Sequence, residues 1–573
     1  MKIERIRIQK FRSLEDCTVS FGQVLAIVGA NNAGKSHILR ALNAFFNFND
    51  EQSGFEHQDH AYSMQSRPRI TVIFSEISEE DGIPAEYIYG NKLTIKFTYR
   101  WDRKVPSYEV IKGADKITIS NEIFQNTLHS FRFIYVPIIR NSDHTFNIQE
   151  SIAYTFLRDI LKQQIARRDT LQPLVNNLYN KIDNTIFRTA IRKIKQYYPF
   201  DNTIDFSLAI SNSDPIDSII HDVTLNIIES SQSNDIKNCG SGIQSAVYFA
   251  IALASSMDSN VSYMVGIEEP ELNMHPQAQR KLIESLKDTE KYPNTQFVLT
   301  THSTVIIDRL GHDAVVLCRK RKGDTRDIVT TTSQIGDDFW EKYDITRERY
   351  GHFFEYKNSD FFFTDAIIIC ESSIDCGVMS HLLKNKGINP AEAGITFIPA
   401  DGEKNVKYPY AIVKELGIPF LCIVDRDVFQ PYLHDQRSAS LDANGIPLYK
   451  NELKTSSPIC NLVSPDDKER LLHLFQSGNY ENALDLLDRY SIISMRYALE
   501  VDLLACRSYY MAFCNTLNLS PEEWTTKRLA TERGKEIKKL DNICAVLDQC
   551  NFRNLPVSYR RIYAKAREIS RHT

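Results

Sequence analysis

The sequence predicts an α/β protein with two parallel-sheet domains, and three patterns in the chain lead to that prediction. A glycine-containing loop at 29–36, GANNAGKS, directly follows the apolar run Val24–Val28. From Phe361 onward, short apolar runs alternate with segments of helical periodicity. Carboxylates directly follow two of these C-terminal runs, at Glu371 and Asp425. Buried strands that alternate with helices are typical of parallel sheets, whose carboxyl ends carry the binding sites.

Composition predicts a cytoplasmic protein of several domains. The chain has 573 residues, of which 42% are hydrophobic and 25% charged. The net charge of −5 gives no overall attraction to nucleic acid, so a nucleic-acid enzyme would need a local basic groove. The 11 cysteines form no CxxC pair, which argues against a zinc or disulfide framework. The start Met1–Arg5 is typical of an amphipathic strand, and no apolar stretch approaches the roughly 20 residues that span a bilayer, so no membrane partner is expected.

The loop at 29–36 has the pattern of a phosphate-binding P-loop. Small residues and glycine let backbone N–H groups approach phosphate oxygens, and Asn32 and Gly34 lie in the part of the loop that would surround them. Lys35 is expected to reach the β- and γ-phosphates, and the Ser36 hydroxyl to hold Mg²⁺. A helix that begins near Lys35 would direct its positive end at the phosphates. The N-terminal half is therefore expected to bind ATP and Mg²⁺.

Two later strands end in residues suited to the same nucleotide. The apolar run Tyr263–Ile267 is followed by Glu268 and Glu269. Glu268 is placed to hold the Mg²⁺ water shell, and Glu269 to polarise the water that attacks the γ-phosphate. The next apolar run, Phe297–Leu299, leads to His302. Because His302 follows a strand beside the other two, we expect it to sense the γ-phosphate.

These motifs resemble the ATP-binding-cassette (ABC) heads of chromosome-maintenance and recombination-repair ATPases. The resemblance implies a signature segment that caps the nucleotide of a partner head; Cys239–Ser245 is the candidate, with Ser241 as its contact. Two heads would then enclose ATP, so a homodimer or a higher homo-oligomer is expected. The segment lacks the usual Ser-Gly-Gly, which predicts slow ATP turnover. Arg140 lies where such heads approach the active site.

The predicted head is interrupted by an insertion. From 147 to 233 the apolar residues follow helical spacing, as at Ile152 and Phe156, without a long heptad repeat. We therefore expect a helical insertion at 147–233, which is either a dimerisation region or an ordinary helical subdomain. It would separate two parts of the ATPase, at 1–146 and 234–355.

The C-terminal half alternates predicted strands with predicted helices. The strands are Ala366–Cys370, Ile395–Ile398 and Phe420–Val424, and the helices are Val378–Leu383 and Ala411–Glu415. Right-handed crossovers make such strands parallel, so their carboxyl ends meet at one edge of the sheet. The acidic residues that follow the strands are therefore expected to lie close together.

Three of these acidic residues predict a metal site. Glu371 follows the first strand, and Asp425 and Asp427 follow the third. Several carboxylates in one place stay ionised only beside cations. Hard oxygen ligands suit Mg²⁺, for which Mn²⁺ can substitute.

The pattern resembles a Toprim domain, in which a Glu follows the first strand, a Gly the second and Asp-x-Asp the third. The match includes Gly402 after the second strand. Asp375 matches a further acidic position, one helical turn beyond Glu371. The chain departs from the pattern at Ser372, where many such domains have Gly.

An ABC-type P-loop ATPase followed by a Toprim domain is the organisation of the overcoming-lysogenization-defect (OLD) nucleases, a group that includes the Gabija nuclease subunit and retron-associated effectors. The resemblance implies a further acidic segment, matched by Leu499–Leu503, with Glu500 as a metal ligand and Asp502 as the alternative. It implies also a basic residue for the scissile phosphate, matched by Lys565. The Toprim domain, with a helical C-terminal part, is expected at 360–573. The segment Leu499–Leu503 and the segment around Lys565 could instead be plain helices.

The family resemblance implies a metal-dependent DNA endonuclease regulated by ATP on paired heads. Glu371, Asp425 and Asp427 would hold one ion, and Asp375 with Glu500 a second, for two-metal hydrolysis. A role in bacterial anti-phage defence is expected. DNA is the expected partner, together with a helicase or a reverse transcriptase and its RNA–DNA from the same system.

Two other interpretations stay open. A topoisomerase or primase would need a strand-attacking Tyr on its own domain, or a zinc ribbon, and the sequence indicates neither. A repair-type ABC ATPase could bind DNA or a partner through a Toprim domain that does not cleave. The intact Glu371, Asp425 and Asp427 favour cleavage.

Overall fold

In the computed structural model the chain divides into two units, Met1–Gln334 and Ile335–Thr573. The division falls ahead of the boundary at 355–360 that the sequence predicted. No helix within the described part of the chain is long and apolar enough to cross a bilayer. The structure describes residues 1–63, 66–138, 156, 182–198, 204–210, 223–229, 232–236, 239–256, 261–272, 274–323, 328–355, 357, 359–434 and 436–570.

One large sheet organises the first unit. The strands of the unit are β1 Lys2–Phe11, β2 Leu14–Ser20, β3 Val24–Val28, β4 Arg69–Ser75, β5 Ile88–Tyr89, β6 Lys92–Arg100, β7 Val105–Lys112, β8 Asp115–Ile119, β9 Phe131–Val136, β10 Ile204–Ile210, β11 Val223–Glu229, β12 Gln232–Asp235, β13 Ser262–Glu268, β14 Thr295–Thr300, β15 Val315–Arg321 and β16 Val329–Gln334. Thirteen of them form one sheet in the order β8-β7-β6-β4-β1-β2-β16-β15-β3-β14-β13-β9, with β5 beside β6.

The centre of this sheet is parallel, and its outer arm is antiparallel. Strands β15, β3, β14, β13 and β9 run parallel to their neighbours in that order. Every residue of β3, β13 and β14 is buried, as expected for strands that are covered on both faces. In the antiparallel β6, buried residues alternate with partly exposed ones. The P-loop strand β3 therefore lies in the most enclosed part of the sheet, with β14 and β13 beside it.

The helices in the described part of the first unit connect its strands. They are α1 Lys35–Phe46, α2 Phe48–Glu56, α3 Asn121–Thr127, α4 Arg188–Tyr197, α5 Ser241–Ser255, α6 Pro276–Leu286 and α7 Thr304–Leu310, with a π-helical turn at Ile182–Phe187. Helix α1 buries its apolar side chains, including Leu39, Leu42 and Phe45, in the core beneath the sheet. The α/β class predicted for this half is confirmed.

The insertion predicted to be helical also contains strands. Helix α4 fits the prediction, but β10, β11 and β12 form a three-stranded antiparallel sheet in its later part. The apolar side chains of Ile204, Phe206 and Leu208 alternate with polar ones, which is the period of a strand and not of a helix. Of the apolar residues on which the helical prediction depended, Phe156 is buried and Ile152 lies outside the described residues.

The second unit is built on a four-stranded parallel sheet in the order β18-β17-β19-β20. The predicted alternation of strands and helices is confirmed, with a helical layer added after β20. The strands are β17 Ala366–Cys370, β18 Ile395–Pro399, β19 Phe420–Val424 and β20 Ile492–Ser494. The helices are α8 Phe339–Lys342, α9 Arg347–Phe354, α10 Ser373–Asn385, α11 Lys407–Glu415, α12 Pro458–Leu462, α13 Pro465–Gln476, α14 Tyr480–Asp488, α15 Leu499–Leu504, α16 Arg507–Thr516, α17 Thr526–Glu532, α18 Gly534–Ile537, α19 Leu540–Gln549 and α20 Val557–Ile569.

Candidate nucleotide site and candidate metal centre

The P-loop has a backbone that only glycine accommodates at two positions. Gly29 has φ 144°, and a Cβ there would lie 2.2 Å from the carbonyl oxygen of Cys318. Gly34 has φ 94° and is the N-cap of α1, and a Cβ there would lie 2.5 Å from the Thr330 hydroxyl. Thr330 Oγ1 also donates to the Ala33 carbonyl at 2.9 Å. Neighbouring strands thus pack directly against the loop and fix its shape before any phosphate arrives.

Lys35 is held inside this loop by neutral partners. Its ammonium donates to the carbonyls of Gly29 at 3.2 Å and Ala30 at 3.1 Å, and it lies 2.7 Å from Nε2 of His302. Burial lowers the pKa of Lys35, and the nearby Glu269 opposes that shift. Burial and Lys35 together lower the pKa of His302, so a neutral imidazole accepts this bond. The structure therefore brings the predicted lysine and histidine into direct contact.

The two predicted glutamates lie at the end of the adjacent strand. Glu268 ends β13; its Oε2 accepts from the Ile138 N–H at 3.4 Å, and its buried Oε1 has no hydrogen-bond partner among the described residues. Glu269 has φ 43°, and its Oε1 lies 3.9 Å from His302 Nε2. Glu271, which the sequence did not single out, accepts the His302 N–H at 2.7 Å and so orients the histidine.

The residues present suit a magnesium nucleotide. The buried, unpartnered oxygen of Glu268 is an acceptor that a hydrated Mg²⁺ would satisfy, and Lys35 is the cation that phosphate oxygens require. Ser36 follows Lys35 in the first turn of α1, and Asn32 adopts φ 62° in the loop. Ser241 is the first residue of α5, and its side chain is outside the described part of the structure.

Arg140, the further predicted contact at this site, lies outside the described residues. The segment that leads to it does reach the site, since Ile138 donates to Glu268. That much of the expectation agrees with the geometry.

The second predicted site lies at the carboxyl edge of the C-terminal sheet. Glu371 directly follows β17 and Asp425 directly follows β19, which pair in parallel, with Cys370 opposite Ile423. Glu371 Oε1 accepts the Asp425 N–H at 2.7 Å. Asp425 Oδ1 in turn accepts the N–H of Leu499 at 3.1 Å, which ties the start of α15 to the same edge.

Asp375 and Asp427 extend this acidic edge. Asp375 lies in the first turn of α10. Its Oδ2 accepts hydrogen bonds from the Ser372 N–H at 2.9 Å and from the Ser372 hydroxyl at 3.0 Å. The Ser372 hydroxyl accepts the Asp375 N–H at 3.3 Å, which completes a capping box. This reciprocal pair explains how Ser serves where Toprim domains often have Gly. Asp427 lies two residues beyond Asp425, in the 3-10 turn Arg426–Val428.

The carboxylates at this edge raise one another's proton affinity. Burial, and then the charges of Asp427 and Asp375, raise the pKa of Glu371 to about 8. Burial, Glu371 and Glu500 raise the pKa of Asp425 well above its ordinary range. Burial is also the main reason why the pKa values of Asp375 and Asp427 are raised. Buried carboxylates in such proximity suit divalent cations with hard oxygen ligands, because a cation relieves both the burial and the mutual repulsion.

The carboxylates do not form a ready-made metal cluster. Within the described residues, no group of three or more His, Cys, Asp or Glu side chains is arranged to hold an ion. One oxygen each of Glu371 and Asp425 instead accepts a backbone N–H. An ion would therefore draw these side chains together from positions that the sheet has already brought near.

Glu500 belongs to this edge, but it is paired with cations. Its side chain is 4% exposed, and its Oε1 lies 2.6 Å from Arg437 Nη2 and 3.5 Å from Lys538 Nζ. Glu500 is near enough to raise the pKa of Asp375, whereas Lys538 lowers it. Neither Arg437 nor Lys538 was predicted from the sequence.

Asp502, the alternative ligand in the same segment, points elsewhere. Its Oδ1 accepts the Tyr497 N–H at 2.8 Å, and its Oδ2 accepts the Arg496 N–H at 2.9 Å and the Ser558 hydroxyl at 2.5 Å. These bonds fix the turn between β20 and α15. The geometry therefore gives Asp502 a structural position beside the site.

Lys565 is not among the residues that the structure brings to the acidic edge. It lies on α20, 2.7 Å from Asp488 and 2.8 Å from Glu568. The role predicted for Lys565 stays a prediction, and the structure adds Lys538, between α18 and α19, as a lysine in contact with Glu500. Spacing within the helical C-terminal part could not distinguish the two, although the whole stretch 520–573 is rich in Lys and Arg.

Comparison with known proteins agrees with the order of the two sites. The family model described as AAA domain, putative AbiEii toxin, Type IV TA system matches residues 24–308. The overcoming lysogenization defect protein-like TOPRIM domain matches residues 362–427.

Three relatives show how far the similarity extends along the chain. The OLD nuclease of Thermus scotoductus is 25% identical over 461 residues, which are 74% of this chain and 82% of that protein. The Old nuclease of Escherichia phage P2 is 23% identical, over 74% of this chain and 77% of that protein. Endonuclease GajA of Bacillus cereus is 29% identical over 191 residues, 30% of this chain and 27% of that protein. With an AAA-type ATPase domain ahead of an OLD-like Toprim domain, the chain belongs to the OLD family of ATPase–Toprim nucleases.

Proposed function

We propose that this chain is an ATP-binding, divalent-metal-dependent DNA endonuclease that cleaves by two-metal hydrolysis. The observation that carries the proposal is the acidic edge of the C-terminal sheet, where burial and neighbouring carboxylates raise the pKa values of Glu371 and Asp425. Such a group gains most from bound cations. Mg²⁺ is the proposed ion, with Mn²⁺ as its substitute.

In this proposal each residue of the edge has a distinct task. Glu371, Asp425 and Asp427 would hold one ion, and Asp375 with Glu500 would hold the second. Bound there, the ions would supply Lewis-acid chemistry for an activated water and for the leaving 3′ oxygen. Lys538 and Arg437 lie beside Glu500 and offer positive charge to the phosphate backbone that flanks the scissile bond.

The nucleotide site is proposed to regulate cleavage. Lys35 would exchange its loop carbonyls and His302 for the β- and γ-phosphates. His302 would then be released to sense the γ-phosphate, and Glu269 would position the attacking water. Two chains would enclose ATP between their heads, with Ser241 capping the partner's nucleotide, as a homodimer or within a higher homo-oligomer.

The setting proposed for this activity is bacterial anti-phage defence in the cytoplasm. A helicase, or a reverse transcriptase with its RNA–DNA, is the proposed partner from the same system. The relatives named OLD nuclease and Endonuclease GajA support DNA as the substrate. The competing function is that of a repair-type ATPase whose Toprim domain binds DNA or a partner without cleaving. The cation pairs on Glu500 are the observation that favours it.

Plasmid cleavage by the purified full chain tests the proposal. Supercoiled DNA is incubated with Mg²⁺ or Mn²⁺, with and without ATP, beside Asp425→Ala and the matched control Asp485→Ala, whose carboxylate is exposed and pairs with Arg561. Nicked or linear product that disappears only with Asp425→Ala supports the nuclease. DNA binding without cleavage under every condition, including with the neighbouring gene products, supports the competing function.

A further inference from the structure

A loop that the sequence motifs do not include lies over the acidic edge. Residues 429–434 and 436–457, which we call the arginine loop, lie between the turn after β19 and α12. Two isolated β-bridges hold it together, between Tyr432 and Tyr449 and between Leu441 and Pro447. The tyrosine rings stack with centroids 5.3 Å apart. The loop therefore has a structure of its own.

The arginine loop brings a cation to the ligand proposed for the second ion. Arg437 begins a 3-10 turn in the loop, and its Nη2 lies 2.6 Å from Glu500 Oε1. The two side chains are 21% and 4% exposed. Lys538 approaches the same oxygen to 3.5 Å. One carboxylate oxygen thus has two cationic neighbours before any metal is considered.

In this arrangement Arg437 would compete with a metal ion for the Glu500 carboxylate. A divalent ion on either oxygen of Glu500 would lie beside a guanidinium of the same charge sign, and the two cations would repel each other. Conversely, an arginine that leaves a nearly buried carboxylate must find another anion, because an unpaired buried charge is strongly unfavourable. The anion that this family of enzymes brings to the site is the DNA phosphate, whose geometry matches a guanidinium.

We propose that Arg437 occupies the place of the second ion on Glu500 until DNA arrives, and that it then transfers to a backbone phosphate and releases Glu500 to the ion. This inference rests on the proposed metal-dependent nuclease and deepens it. Arg437 is a positioning residue in this scheme, since it acts on the metal through Glu500. Binding of DNA and of the second ion must then favour each other by the same factor.

Mn²⁺ binding by the full chain tests the inference independently of cleavage. Free Mn²⁺ is measured by electron paramagnetic resonance, with and without a phosphorothioate duplex that resists hydrolysis, after subtraction of Mn²⁺ bound by the duplex alone. In the wild type, DNA is expected to tighten the second Mn²⁺ by roughly tenfold, a typical coupling between sites. Arg437→Gln is expected to bind the second Mn²⁺ roughly tenfold more tightly without DNA and to show little further effect of DNA.

Two further variants identify the cause. Arg561→Gln is the matched control, because Nη2 of Arg561, on α20, also lies 2.6 Å from a carboxylate oxygen, that of Asp485. The Arg561→Gln variant should bind Mn²⁺ like the wild type. In a Glu500→Gln background, Arg437→Gln should no longer change Mn²⁺ affinity, because the carboxylate charge for which the two cations compete is gone.

The outcomes separate this inference from the function on which it rests. If Arg437→Gln binds Mn²⁺ as the wild type does, or more weakly, while the wild type cleaves DNA, only the inference is overturned. If the wild type binds no Mn²⁺ beyond what Asp425→Asn binds, both are overturned. Should Arg437→Gln not fold, Arg437→Lys replaces it, because lysine keeps the charge beside Glu500 and lacks the two-pronged phosphate contact. An undiminished effect of DNA on Mn²⁺ affinity in Arg437→Lys would also overturn the inference.

Discussion

Asp502→Asn would replace one hydrogen-bond acceptor with a donor at a buried position. The effect of this substitution distinguishes a structural role of Asp502 from a role as a metal ligand. The Asp502 side chain accepts three bonds, from the Arg496 and Tyr497 N–H groups and from the Ser558 hydroxyl. Asparagine has one accepting oxygen. With that oxygen kept toward Arg496 and Ser558, its NH₂ group would face the Tyr497 N–H, and two donors would oppose each other.

The structure allows the size of this effect to be stated. A buried donor left without an acceptor costs about 1–3 kcal/mol, so Asp502→Asn should lower the free energy of unfolding by about 2 kcal/mol. Asp502→Ala loses all three bonds and should cost about 4 kcal/mol. For a unit of the size of Ile335–Thr573, about 2 kcal/mol corresponds to a fall in Tm of roughly 4–8 °C. The comparison is made at pH 8, where Asp502, whose pKa burial raises to about 6, is ionised.

Thermal unfolding followed by tryptophan fluorescence measures the effect in the full chain. A Trp101→Phe background leaves Trp340 and Trp524 as the reporters, both in the second unit. Asp485→Asn is the control, since that carboxylate is 61% exposed and should change stability by less than about 0.5 kcal/mol. Mn²⁺ stoichiometry should be unchanged in Asp502→Asn. An unchanged Tm together with the loss of one bound Mn²⁺ would refute the reasoning and make Asp502 a ligand.

Four further outcomes are expected. Lys35→Ala should abolish binding of a fluorescent ATP analogue, because the lysine is the cation inside the P-loop. Lys538→Ala should slow plasmid cleavage by roughly 100-fold, a typical loss for a donor that stabilises developing charge, whereas Lys565→Ala should stay within about threefold of the wild type. Isothermal titration should show Mn²⁺ affinity rising between about pH 6 and pH 9, because the pKa of Glu371 is raised to about 8 and its proton competes with the ion. In EDTA the Tm should fall as pH rises from about 4.5 to about 8 and then level off, since between these values the folded state binds the Glu371 proton and the unfolded state does not.

The nucleotide site could be predicted from the sequence because strand order and strand ends decide it. The apolar runs before Gly29, Glu268 and His302 are the neighbouring parallel strands β3, β13 and β14. Their carboxyl ends must meet, whatever the rest of the chain does. The same argument placed Glu371 beside Asp425, and there the backbone N–H of one donates to the carboxylate of the other.

Residues outside the strand ends could not be predicted in this way. Glu500 and Asp502 lie two apart on one short helix, so their side chains point in different directions, and only the surrounding bonds tell which one faces the acidic edge. Arg437 lies in a loop whose path no periodicity reveals. Lys538 and Lys565 differ in which carboxylate they meet, and that depends on how the C-terminal helices pack.

Both sites share an electrostatic arrangement in which a charged side chain already has internal partners. In the nucleotide site, the Lys35 ammonium is satisfied by carbonyls and by His302. In the acidic edge, the Glu500 carboxylate is satisfied by Arg437 and Lys538. A nucleotide must therefore displace the existing partners of Lys35, and a metal ion those of Glu500. The affinity of each is lower by the free energy of the contacts that it displaces. In the function proposed here, an ion that enters the acidic edge alone would meet the two cations beside Glu500, and DNA would have to draw them away.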